Sequence, residues 1–270
     1  MIPLDLRGVV MPEKDVSREL AYNENHNTVM ANDIVKGKQE MTLQEARLLR
    51  LLITQVAQED KDLMTYTAKI SELAEFLGTH KNNLFRDIRK ICDNLARRVV
   101  RVGTGNPRNP WEVFPWLQYA GYDGNGNLTI MLSNRIQPFV VGLSERFTQY
   151  KLANILAMNS FYSIRLYELL KCEDYRRVDD YPIFTVQGLR EAFECENKYK
   201  LFGDFNRRTI EVAVREINEK TDLSISRVEY IKDGRAVVAL KFVYGYLKVW
   251  EDSPAEMPGQ LALDGSEVAG

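Results

Sequence analysis

The chain has 270 residues, of which 45% are hydrophobic and 27% charged, a balance that fits a folded globular protein and argues against a disordered or fibrous one. At ~150 residues per domain, this length accommodates about two domains. No apolar run approaches the ~18 residues of a spanning helix, and the opening MIPLDLRGVVMPEKD lacks a signal core, so the cytoplasm is the expected location and a membrane is not an expected partner. Cys92, Cys172 and Cys195 are widely spaced with no C-x-x-C pair, which indicates neither a disulfide framework nor a thiolate zinc site. The formal net charge is -2, but residues 251–270 hold five acidic and no basic residues, so without them the balance is +3. Between His80 and Arg108 eight Lys and Arg face only Asp87 and Asp93. Such density is either a footprint for phosphate or a solvated helix face.

In chain order, TLQEARLLRLLITQVAQED places Leu43, Ala46, Leu49, Ile53 and Val56 at helical spacing, with Thr42 and Glu45 set as a capping box. MTYTAKI reads as an extended lead-in to a helix SELAEFLG, capped by Ser71 and ended by Gly78. After the turn THKN, the helix NLFRDIRKICDNLARR carries Leu84, Ile88, Ile91 and Leu95 on one stripe and its basic residues elsewhere. Two helices around a tight turn, the second one basic, outline a helix-turn-helix. RVVRVG, WEVFPWLQYAGY and LTIMLS are strand-like and follow directly, which gives the winged variant. DGNGN, residues 123–127, imitates the start of a calcium loop, but Leu128 and Asn134 stand where that loop needs Gly and Glu, so it reads as a hairpin turn.

FTQYKLANILAMN, residues 147–159, is expected as a separate short helix, with Ser160 capping the next one, SFYSIRLYELLKCEDY. That second helix is apolar on nearly every side, through Phe161, Tyr162, Ile164, Leu166, Tyr167, Leu169 and Leu170, so both halves must bury it. Its Arg165 needs a partner, for which an ion pair with Glu168 one turn on is favoured over a phosphate contact. FTVQGLREAF, DFNRRTIEVAVREINEKT, and LSISRVEY with AVVALKFVY around IKDGR then repeat the earlier order of lead-in, two helices and hairpin. Phe76 aligns with Phe193 at an offset of 117, and Ile88 and Leu95 align with Ile210 and Ile217 at 122, which marks an internal duplication. The expected fold class is α+β: two tandem winged-helix domains joined by a buried helix. The parts are an N-terminal extension (1–25), winged helix 1 (26–146), connecting helices (147–175), winged helix 2 (176–247) and an acidic tail (248–270).

FTQYKLANILAMNSFYSIRLYELL, DFNRRTIEVAVREINEKTDLSISRVEYIKDGRAVVALKF and, more loosely, MTLQEARLLRLLITQV resemble the iteron-binding plasmid replication initiators, the Rep_3 initiator family. The resemblance covers residues 25–245. It implies two winged-helix domains that bind direct repeats in double-stranded origin DNA, with monomers that initiate and homodimers that repress their own gene. A host replication initiator and a replicative helicase are the further expected partners. The terminal segments have no counterpart in the resemblance, and the low isoelectric point departs from the family.

In a winged helix the start of the second helix enters the major groove. This selects Asn206, Arg207 and Arg208, with Arg215 two turns on, in the second domain, and Lys81, Asn82, Asn83, Arg86, Arg89 and Lys90 in the first. Arg suits guanine and Asn suits adenine through paired hydrogen bonds. The competing structural roles are ion pairs of Arg207 and Arg208 with Glu211, and a capping role for Asn82. Arg97 and Arg98 suit the helix C-terminus. Lys232 and Arg235 flank the second hairpin tip as candidate phosphate or minor-groove contacts. No catalytic, cofactor or metal site is expected: His26 and His80 form no nickase metal cluster, and there is no phosphate-binding loop for ATP. The alternatives are a double winged-helix transcriptional regulator and a protein-binding winged-helix subunit of chromosome maintenance. The Arg-rich second helices speak against the latter.

Overall fold

The computed structural model describes residues 17–23, 25–57, 59–174 and 181–247, apart from the side chains of 104–106 and 109. Most of the N-terminal extension and the acidic tail lie outside the described residues. The first half runs β1 (Ser17–Glu19), β2 (Asn27–Ala31), α1 (Asn32–Lys36), α2 (Leu43–Thr54), β3 (Thr65–Lys69), α3 (Ile70–Phe76), α4 (Lys81–Arg97), β4 (Val99–Asn106), β5 (Asn109–Pro115), β6 (Leu117–Tyr122) and β7 (Asn127–Leu132). A 3₁₀ segment (Asn134–Phe139) leads to the second half. That half is β8 (Phe147–Lys151), α5 (Leu152–Ala157), α6 (Phe161–Glu173), β9 (Ile183–Thr185), α7 (Val186–Ala192), α8 (Phe202–Phe205), a π turn (Asn206–Ile210), α9 (Glu211–Lys220), β10 (Leu223–Asp233) and β11 (Ala236–Tyr246).

Each half is a winged helix. In the first, α2, α3 and α4 pack on a sheet of order β1-β3-β7-β6; in the second, α6, α7 and the α8–α9 helix pack on β10-β11-β9. In both, the strand before the second helix pairs with the last strand of the hairpin, β3 with β7 and β9 with β11. The β4–β5 hairpin is a separate two-stranded sheet inserted in the first half, without a counterpart among the described residues of the second.

Local signals account for most elements. Thr42 and Glu45 form the capping box of α2, and the Ser160 hydroxyl accepts the Tyr162 amide at the start of α6. Asp123 takes the amides of Asn125 (2.7 Å) and Asn127 (3.0 Å) to close the β6–β7 turn. The Asn127 side chain and these amides hold its carboxyl below the ordinary range.

Three expectations need correction. Ser71 lies inside α3, whose first residue follows Lys69 without a side-chain cap. WEVFPWLQYAGY is not one strand: it breaks at the fully buried Trp116, so β5 pairs with β4 while β6 pairs with β7. FTQYK is not helical but is strand β8, antiparallel to β2. FTQYK is decided by a partner in the other half, and WEVFPWLQYAGY by the two different strands that flank it.

The ladder that joins the two halves has a local, approximate two-fold. The β2–β8 ladder is centred on Val29 and Gln149. At one end the Asn32 amide donates to the Arg146 carbonyl (2.8 Å), and at the other the Leu152 amide donates to the His26 carbonyl (3.0 Å). The members of each equivalent pair, 26 and 146 or 32 and 152, are 120 positions apart. α3 and α7 also end alike, with Gly78 (φ 61°) and Glu194 (φ 51°) in the left-handed conformation. Their spacing is 116, so the buried Leu77, rather than Phe76, is the counterpart of Phe193.

At the centre, α6 connects the halves, packing against α1 and β8 on one side and α9 on the other. Arg50 on α2 and Glu168 on α6 occupy equivalent positions, both eight residues past their caps Thr42 and Ser160. They bond to each other through Arg50 Nε to Glu168 Oε1 (2.8 Å) and Arg50 Nη2 to Oε2 (2.9 Å), with both side chains fully buried. Arg165 also donates to Glu168 (2.9 Å), as its spacing predicts, and to the carbonyls of Val35 (2.8 Å), Gly37 (3.0 Å) and Ala192 (3.2 Å). The Tyr150 hydroxyl adds a bond to Glu168 at 2.7 Å. Burial alone would raise the Glu168 carboxyl, but Arg50 and then Arg165 more than reverse this and hold it below its ordinary value. Glu168→Gln leaves two buried guanidiniums short of a counter-charge and should lower the unfolding free energy by ~3–5 kcal/mol at neutral pH, measured by chemical denaturation. Because the folded value is depressed, the carboxylate's contribution is complete above the unfolded value of ~4.3 and is lost as pH falls through the folded one. The gap between the two proteins should therefore close in acid.

Candidate nucleic-acid interface

α4 turns Leu84, Ile88, Ile91 and Leu95 into the core, which leaves Lys81, Asn82, Asn83, Arg86, Arg89 and Lys90 exposed. The cap is His80, whose Nδ1 accepts the Asn82 amide at 3.3 Å, so Asn82 has no capping duty. Arg86 makes two 2.9 Å bonds to Asp87, both side chains facing solvent. Arg98 instead turns back to Glu45 and the Glu40 carbonyl (3.0 Å), a structural role, whereas Arg97 is exposed.

The second recognition helix runs from Phe202 through the π turn to Lys220. Phe205, Ile210, Ala213 and Ile217 face the core, and Arg207, Arg208 and Arg215 are exposed. Neither Arg207 nor Arg208 pairs with Glu211. Arg207 meets Asp204 at 2.8 Å with 67% of its side chain exposed, and the Arg208 guanidinium lies 5.6 Å from the ring centroid of Tyr199. Asn206 corrects the sequence reading: it is 9% exposed, donates to Glu211 Oε1 (2.7 Å) and accepts from the Tyr230 hydroxyl (3.3 Å). Its amide is thus committed between the helix and the hairpin. Lys232 and Arg235 are exposed at the β10–β11 tip, where Gly234 supplies the positive φ of 57° that the tight turn needs. An open groove of about 640 Å³ separates the helix start from the hairpin, with Arg207 on one wall and Tyr230 and Lys232 on the other.

Sequence reasoning missed Lys198 and Lys200. Both are exposed on the loop before α8, whose extra length was visible in ECENKYKLFGD without its purpose. The loop is built from below: Arg190, itself 9% exposed, donates to the carbonyls of Lys198 (2.9 Å) and Tyr199 (2.8 Å) and lies 4.4 Å over the Phe205 ring. Tyr199 adopts φ 51° and carries Arg208 on its ring. Lys198, Lys200, Arg207, Arg208, Lys232 and Arg235 are all exposed on the loop, helix and hairpin of one domain, and Arg207 and Lys232 line the same groove, a set of cations suited to phosphates and base edges. Among the described residues, no group of three His, Cys, Asp or Glu is placed to hold a metal ion, and no helix is long and apolar enough to cross a membrane.

An uncharacterised 27.6 kDa protein of Escherichia coli is 23% identical over 214 residues, 74% of this chain and 88% of that protein. A replication initiation protein of Escherichia coli is 22% identical over 205 residues, 72% of this chain but only 63% of that relative. Among solved structures, the Pi initiator protein in complex with iteron DNA shares the fold, with a TM-score of 0.69 and 20% identity across 84% of this chain and all of that one. The WH1 model of the initiator replication proteins matches residues 27–171, and the WH2 model of the initiator Rep proteins matches 185–244. With both domains matched in order, the chain belongs to the initiator replication protein family.

Proposed function

We propose that this protein initiates plasmid replication by binding directly repeated origin sequences, iterons, with one winged helix in each of two successive major grooves. The observation that carries this reading is the pair of recognition helices, each turning an apolar stripe inward and a cluster of cations outward, in a chain whose family is that of replication initiators. The Pi initiator, whose fold is shared, is bound to iteron DNA in its own structure. Arg207 and Arg208 serve as base readers of the second domain, and Asn82, Asn83, Arg86, Arg89 and Lys90 serve the first, with Lys81 at the helix start placed for phosphate. Arg215, Lys232 and Arg235, with Lys198 and Lys200, hold the flanking phosphates.

Without a phosphate-binding loop in the sequence, the work on DNA comes from binding energy. Several copies on an array of repeats bend the duplex, at a cost of about 1–6 kcal/mol for 40–90°, which phosphate contacts offset. The strain helps open an adjacent A·T-rich segment, where a host initiator and replicative helicase are recruited. A homodimer in equilibrium with the monomer represses the protein's own gene. The resemblance to iteron-binding initiators supports these last steps.

Binding to the duplex that the unaltered protein selects from a random pool, compared with binding to unselected duplex, tests the base-reading assignment. Arg207→Ala with Arg208→Ala should lose at least about tenfold more affinity on the selected sequence, the value of a lost bidentate contact. Equal losses on both would assign these residues to the backbone. Neutralising ~6–10 phosphates, the complex should weaken by ~10³ to 10⁵ between 50 and 200 mM salt. Lys198→Gln with Lys200→Gln should make that salt slope shallower by about 1–2 and weaken both duplexes alike, and an unchanged slope would remove the loop from the interface.

A further inference from the structure

The core of α4 steps from Leu84 to Ile88, four residues and one α-helical turn. The matching step in the second domain runs from Phe205 to Ile210, five residues, and the intervening backbone is the π turn. The caps His80 and Leu201 are 121 positions apart, while Ile88 and Ile210 are 122 apart. The second recognition helix therefore carries one residue more than the first, absorbed inside this turn. On a regular helix a five-residue step would leave Ile210 roughly 140° around the axis from Phe205, against about 40° for a four-residue step. The wider turn keeps Phe205 and Ile210 both inward, at 0% and 1% exposure.

The turn is also fastened. Thr209 is buried and its hydroxyl donates to the Phe205 carbonyl at 2.7 Å. Asn206 bridges forward to Glu211 at 2.7 Å and accepts the Tyr230 hydroxyl from the hairpin at 3.3 Å. Where α4 has three residues between its core positions, this turn has four, of which the outer two are Arg207 and Arg208.

We propose that the inserted residue is a specificity device: the π turn sets the aim of Arg207 and Arg208, and Asn206, Glu211 and Tyr230 are positioning residues that hold it against the hairpin. The inference rests on the reading of those two arginines as base contacts. Base readers must be held within about 10–20° of their productive direction, so one residue more or less in this turn changes what they read. The insertion also makes the second head unlike the first. Two heads related by a dyad match an inverted repeat; heads that differ in aim match a directional one.

The test compares the full chain with three variants: deletion of Thr209, Asn206→Ala, and Arg207→Ala with Arg208→Ala. Deletion of Thr209 restores the four-residue step and keeps every charge. Affinities are measured for the selected and the random duplex, with cooperative unfolding monitored in parallel. The deletion should lose at least about tenfold of the preference for the selected sequence while random-duplex affinity stays within about twofold. Asn206→Ala should fall between it and the unaltered protein. A pool selection with the deletion variant should return a sequence changed only beneath the second domain. A folded deletion variant that keeps the preference and selects the same sequence overturns the proposal and leaves the arginine reading intact. Should the arginine double variant keep the preference, that underlying reading fails instead. If the deletion does not fold, Asn206→Ala decides: undiminished preference overturns the proposal.

Discussion

The architecture depends on one buried carboxylate. Glu168 is shared by Arg50 from the first domain and Arg165 from its own helix, with Tyr150 as a fourth member. Charges removed from water are tolerated only in good geometry with their remaining donors satisfied, so this cluster admits one arrangement of the elements that feed it. Through Arg165 it reaches the carbonyls of Val35 and Gly37 beside α1 and of Ala192 at the end of α7. Arg50 also donates to Gln39 at 2.6 Å. Hydrophobic packing around α6 supplies bulk stability without direction. The ionic centre supplies the direction, and through the Arg165 bond to the Ala192 carbonyl it ties the connecting helix α6 to the second domain.

Around that centre the halves agree, and they diverge towards the surface. The strand pair, the capped first helices and the helix ends at Gly78 and Glu194 repeat. The differences are the β4–β5 hairpin in the first domain and, in the second, the loop held by Arg190 and the π turn. A duplicated module that is constrained inside and free outside can acquire two distinct reading surfaces without losing its internal alignment.

Much that depends on neighbours within about four residues was legible in the sequence, although the start of α3 was not, since Ser71 has the chemistry of a cap yet the helix begins after Lys69. The capping box of α2, the Leu84–Leu95 stripe, the Asp233-Gly234 turn and the Arg165–Glu168 pair all emerge from spacing. β8 was hidden because its partner strand lies 120 residues away, and FTQYK alone has nothing to oppose the helix that follows it. Arg50 escaped notice because its counter-charge is 118 positions distant. The exposure of Arg207 and Arg208 followed from the helix start, but the inward turn of Asn206 did not, since it depends on a π turn and on Tyr230 across the hairpin. Lys198 and Lys200 were visible only as surplus loop length, and their presentation requires Arg190 beneath them.

In the proposed function a rigid pair of unlike heads engages one duplex together. Hydroxyl-radical footprinting of the monomer on a single selected site separates joint from independent engagement. Two protected patches on one face of the DNA, centred about one helical turn (~34 Å) apart, should appear together as protein is added. A single patch, or two patches that fill at different protein concentrations, would contradict it.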